Sequence, residues 1–81
     1  MNTTIKMVRN GNKEINATFV DGDTYAMVYC SELSIAIVGM CAGETDLIKL
    51  VPHTKVFIAR DAVSRLNRGI LSEEDVASFV A

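Results

Sequence analysis

Apolar and polar positions in the first thirty residues change places at short range, and two turn signals cut them into strand-length pieces. The signals are "NGN" at Asn10 to Asn12 and "DGD" at Asp21 to Asp23. Asn-Gly and Asp-Gly supply the positive φ angles that tight hairpin turns require. The pieces between them, "TTIKMVR", "KEINATFV" and "TYAMVYC", are rich in β-branched and aromatic residues, which suit a pleated and half-buried surface. In the second piece Ile15, Ala17 and Phe19 alternate with Glu14, Asn16 and Thr18. A period of two with apolar residues on one side predicts a sheet with one face on a core and one in water. The expectation is an N-terminal three-stranded antiparallel meander.

The pattern changes at "SIAIVGMCAG", Ser34 to Gly43, ten residues without a charge. Ser31 is suited to an N-cap, Glu32 to the first turn, and Gly43 to the end of a helix. Leu33, Ile37, Met40 and Cys41 then share one helical stripe, while Ile35, Val38 and Ala42 make a second apolar face. The length of the run favours a helix over Ser31 to Ala42. Ile35, Ile37 and Val38 argue for the competing reading, a buried strand. A helix apolar all round needs cover on both sides. Its sheet supplies one cover, and the second face, with Ile35 and Val38, is expected to meet another copy or a target protein.

Residues 47–59 leave two readings open. "DLIKLV" and "KVFIA", separated by "PHT", read as a second hairpin, because Pro52 interrupts a helix. Alternatively Val56, Ala59, Val63 and Leu66 form the stripe of one helix from about Thr54 to Arg68. Downstream, Gly69 stops a helix carrying Asp61 and Arg65 as an i,i+4 pair. Ser72 and Asp75 read as a capping box with Asp in the usual Glu position. Val76, Phe79 and Val80 anchor the last helix. The fold class expected is α+β, with the meander packed on helices in a single domain over residues 1–81.

Composition adds that the chain is small for its apolar content. Of 81 residues, 49% are hydrophobic, and a body this small has too much surface to hide them all. Self-association follows as an expectation, a homodimer first. The net charge is −2, with Lys and Arg dispersed, which disfavours the basic footprint of nucleic-acid binding. The N-terminal residues lack a signal-peptide pattern, and the apolar run is shorter than a membrane span. A cytoplasmic protein with no membrane segment is expected. Cys30 and Cys41 sit in apolar contexts and are expected as buried free thiols. The Asn-x-Thr triplets at Asn2 and Asn16 carry no meaning without secretion.

No reactive constellation stands out. His53 is the single histidine, and pairing it with Cys30 or Cys41 would require a thiol activated against its apolar surroundings. Cys30, Cys41 and His53 lack the close pairs of a zinc site, and "DGDT" lacks the later ligands of a calcium loop. "GMCAGETD" lacks the lysine and third glycine of phosphate-binding loops. Its Gly39 and Gly43 read as room for close helix packing. The C-terminal stretch has the outline of a helix-turn-helix, but its second helix would meet phosphates with Glu73, Glu74 and Asp75. Lys6, Arg9 and Lys13 flank the first turn as solvated charge. The chain is therefore expected to be a non-enzymatic protein-interaction module, an inhibitor or accessory protein of the phage-encoded kind, with no cofactor or metal. The alternatives are an oligomeric small-ligand binder, with Tyr25, Tyr29 and His53 as polar contacts in an intersubunit pocket, and a DNA-binding regulator using the C-terminal helices.

Overall fold

A computed structural model describes residues 2–10, 12–30, 33–41 and 44–78. Five strands precede two helices: β1 (Thr3–Asn10), β2 (Lys13–Val20), β3 (Tyr25–Tyr29), β4 (Ser34–Cys41), β5 (Glu44–Pro52), a 3-10 turn at His53–Lys55, α1 (Val56–Asn67) and α2 (Glu73–Ser78). The fold is α+β and its N-terminal strands form a meander, as the turn signals predict. β1 and β2 make one antiparallel sheet, while β3, β4 and β5 make a second in that order. β2 and β3 lie near each other, but the ladder passes to the β3–β4 pair, and among the described residues β2 and β3 share none.

The turns follow their residues. β1 and β2 are in register from Thr3 against Val20 to Asn10 against Lys13, which leaves a two-residue connection at the first turn signal. At the second, Asp23 N–H donates to Val20 O at 2.8 Å and Gly22 takes φ 93°, a conformation that favours glycine.

Three layers result, with β4 in the middle one. On one side Ala26 and Val28 of β3 and Ala36 and Val38 of β4 pack on Val8, Ala17 and Phe19 of the hairpin. On the other, Ile35, Ile37 and Val51 pack on Ala59, Ala62 and Leu66 of α1 and Val76 of α2. Alternation along β4 sends successive side chains to opposite cores. Ile35, Ala36, Ile37 and Val38 are consequently all buried.

This overturns the helix expected over Ser31 to Ala42. A strand covered on both faces reads as an unbroken apolar run, with the same composition as a buried helix. The β-branched Ile35, Ile37 and Val38 carried the correct signal. The expected caps at Ser31, Glu32 and Gly43 lie outside the described residues. Gly39 serves a strand: it stands opposite Tyr25, and a Cβ there would fall 2.9 Å from a Tyr25 ring carbon. The glycine makes room for the ring, so the helix-packing reading of Gly39 is corrected.

Of the two readings of residues 47–59 the helix is formed, and the hairpin of "DLIKLV" on "KVFIA" is corrected, because the first pairs with β4 and the second enters the helix. Leu47 to Pro52 complete β5, whose hairpin partner is β4, and the chain after Pro52 turns helical. The register slips between Ile37, opposite Lys49, and Val38, opposite Leu47. Ile48 is thus the extra residue of a bulge, and it packs on the helix-side core. The predicted stripe of α1 is observed, with Ala59 and Leu66 buried and Val56 and Val63 partly so. Gly69, at φ 73°, closes α1. Gly69 N–H donates to Leu66 O at 3.1 Å and Ile70 N–H to Arg65 O at 2.9 Å, the double bond pattern of a Schellman end. The capping box is formed: Asp75 N–H donates to Ser72 Oγ and Ser72 N–H to Asp75 Oδ2, each at 3.1 Å. Val76 anchors α2, and Phe79 and Val80 lie outside the described residues.

Candidate interaction surfaces

Tyr25, Tyr29, His53, Ile35 and Val38 do not form one site. Ile35 and Val38 have no exposed surface. Their expected contact with a partner is corrected, because β4 spends both its faces on the protein's own layers. Tyr25 stands at the start of β3 and is tied in place. Asn67, the last residue of α1, accepts from the Thr24 and Tyr25 N–H groups at 3.0 and 2.8 Å through Oδ1, and donates to Tyr25 O at 3.1 Å through Nδ2. One amide side chain thereby satisfies the outer edge of β3 where a neighbouring strand would. The Tyr25 hydroxyl donates to Glu73 Oε2 at 3.1 Å. Burial, followed by the bond to Glu73 and its negative charge, pushes the phenol pKa up.

Tyr29 ends β3 and meets His53, with ring centroids 5.7 Å apart and planes at 49°. His53 N–H donates to Leu33 O at 2.8 Å, which holds the exposed Leu33 near this corner. Two of the three expected ligand contacts therefore come together, and Tyr25 is separated from them by the length of β3.

The cysteines are both free. Cys30 is half-buried, and burial raises its thiol pKa against a smaller opposing effect from the Ala36 backbone. Cys41 is exposed, contrary to its apolar sequence context, because it lies at the end of β4 beyond both cores. Among the described residues no group of His, Cys, Asp and Glu side chains is arranged to hold a metal ion, and no helix is long and apolar enough to cross a membrane.

The surface that sequence reasoning missed is the outer face of the β1–β2 hairpin. Val8 on β1 and Ile15, Ala17 and Phe19 on β2 turn inward. The opposite face carries Ile5, Met7 and Val20, which are 64%, 54% and 40% exposed. Register sets Ile5 against Thr18 and Met7 against Asn16, with Val20 opposite Thr3. An Arg9–Glu14 contact at 3.4 Å closes the face near the turn. In "TTIKMVR" apolar residues occur on both faces, and only Val8 finds the core. Beside this face, between β1 and β5, runs an open groove of about 550 Å³ lined by Lys6, Met7, Arg9, Glu44 and Thr45. β1 and β5 share no ladder among the described residues, and the Thr45 hydroxyl oxygen in the groove wall is buried without a hydrogen-bond partner.

Comparison with known proteins adds no relative: no family model, no curated protein and no solved structure matches the chain.

Proposed function

We propose that this protein is a small interaction module that binds a larger protein through the outer face of its β1–β2 hairpin and acts on it as an inhibitor or accessory subunit. The observation behind the reading is the exposure of Ile5, Met7 and Val20 together on one side of a two-stranded sheet. A sheet face that meets only water is normally polar, and contiguous exposed apolar side chains mark contact surfaces. Among the described residues β1 pairs with β2 alone, so its edge beside the groove adds backbone donors and acceptors that an extended partner segment would use. A cytoplasmic setting accords with the two free thiols.

The test is capture of partners by the tagged protein, comparing the native chain with Ile5→Glu/Met7→Glu by quantitative mass spectrometry. Both positions are exposed, so the variant is expected to fold and to lose a specific partner. An unchanged set of captured proteins would sink the reading. A second reading, a small aromatic or acidic ligand at the Tyr29–His53 corner, draws on the proximity of those two rings and would show as His53 chemical-shift changes on ligand addition. The DNA-binding reading ranks below both, since α2 presents Glu73, Glu74 and Asp75 in its first turn. An enzyme ranks last, and any turnover removed by His53→Ala would reverse that order.

A further inference from the structure

The helix layer carries a separation of charge that the overall balance conceals. α1 exposes Phe57, Arg60, Asp61, Ser64 and Arg65, and the exposed Arg68 caps its C-terminal end; their three- and four-residue spacing places all six on one stripe opposite the buried Ala59, Ala62 and Leu66. Arg65 pairs with Asp61 at 2.8 Å. Among the described residues no carboxylate pairs with Arg60, Arg68 or the adjoining Lys55. At the N-terminal part of this stripe Phe57 is 75% exposed, and the Arg60 guanidinium lies 5.8 Å from its ring centre. α2, in contrast, contains Glu73, Glu74 and Asp75, all exposed, and no cation. α1 packs mainly on β3 and α2 on β5, so a basic ridge and an acidic ridge lie on the same side of one sheet.

We propose that this layer is the contact face of a homodimer, in which α1 of each copy lies against α2 of the other. A two-fold axis between two opposite ridges sets each ridge on its complement twice over, which is what a self-complementary contact requires. The partner is a second copy because the chain carries both halves of the match side by side. A target with one sign of charge would satisfy one ridge and repel the other. Phe57 is the apolar anchor, flanked by arginine in the composition that dominates binding energy at interfaces. This surface is separate from the hairpin face and stands without it.

The experiment is sedimentation equilibrium of the native chain and two reversed-charge variants, Arg60→Glu/Arg68→Glu and Glu73→Lys/Glu74→Lys, with circular dichroism to confirm folding. The native chain is expected to dimerise and to weaken by about tenfold or more between about 50 and 500 mM NaCl, since salt screens exposed charges. Each variant alone sets like charges face to face and is expected to be monomeric. Mixed, the two restore complementarity at both contacts and are expected to form a heterodimer. Phe57→Glu is expected to weaken the native dimer as well, and it carries the test should the Glu73→Lys/Glu74→Lys variant fail to fold. A native chain monomeric at low salt, a variant that dimerises as well as the native chain, a folded pair that fails to associate on mixing, or a dimer lost in Ile5→Glu/Met7→Glu would each overturn the proposal. Partner capture through the hairpin is read independently of all four.

Discussion

At the scale of single residues, the tightest constraint is the pair Tyr25 and Gly39. The ring cannot retreat easily, since Asn67 holds the Tyr25 backbone on two hydrogen bonds and the neighbouring Thr24 N–H on a third, and Glu73 holds the hydroxyl. Gly39→Ala places a methyl group 2.9 Å from the ring and is expected to destabilise the fold by about 1 to 3 kcal/mol in urea titration. Adding Tyr25→Ala to Gly39→Ala should cost less than the sum of the two single changes, because the clash then vanishes. Additive costs would show that the ring does not determine the glycine. The glycine was visible in the sequence, but its cross-strand partner was not, since the pairing of residues 25 and 39 depends on the register of β4.

At the scale of elements, the local signals at chain reversals and helix ends are those that survive folding. The capping box of α2 is an example with a pH signature. Hydrogen bonds from the Ser72 N–H and then the Ser72 hydroxyl hold the Asp75 carboxyl below its ordinary value of 3.8. A depressed carboxylate contributes stability above its unfolded pKa and loses it as pH falls through its folded pKa. The α2 amide resonances should therefore shift toward unfolded values as pH drops below about 4, the ordinary range of an Asp carboxyl, and Asp75→Asn should remove that dependence. An acid limb unchanged in Asp75→Asn would mean that other carboxylates control it. β4 is the opposite case. "SIAIVGMC" contains no cap and no alternation, so its helical and extended readings differ only in what surrounds it.

At the scale of the whole molecule, one central sheet separates two apolar cores, and β4 belongs to both. Its shared membership couples hairpin and helices, although no ladder joins the two sheets among the described residues. Phe19, 1% exposed, is the largest side chain on the hairpin side. Phe19→Ala is expected to cost about 3 to 5 kcal/mol, a large share of the roughly 4 to 12 kcal/mol expected for a chain of this length. Loss of α1 helicity by circular dichroism should coincide with loss of the hairpin signal by NMR. Separate transitions would show that the cores are independent.

The sequence by itself determined the features whose causes lie within a few residues. These are the reversal between β1 and β2, the turn at Gly22, the alternation of β2, the stop at Gly69, and the reciprocal cap of Ser72 and Asp75. Each depends on local backbone geometry or a side chain reaching its near neighbours, and residue type suffices to show it. Tertiary structure decided which apolar residues are spent inside. Ile35 and Val38 disappear into two cores because layers cover both faces of β4, whereas Ile5, Met7 and Phe57, no less apolar, remain outside because nothing among the described residues covers the outer faces of the hairpin and of α1. Burial depends on contacts distant along the chain, and the pattern of one strand or helix does not contain them.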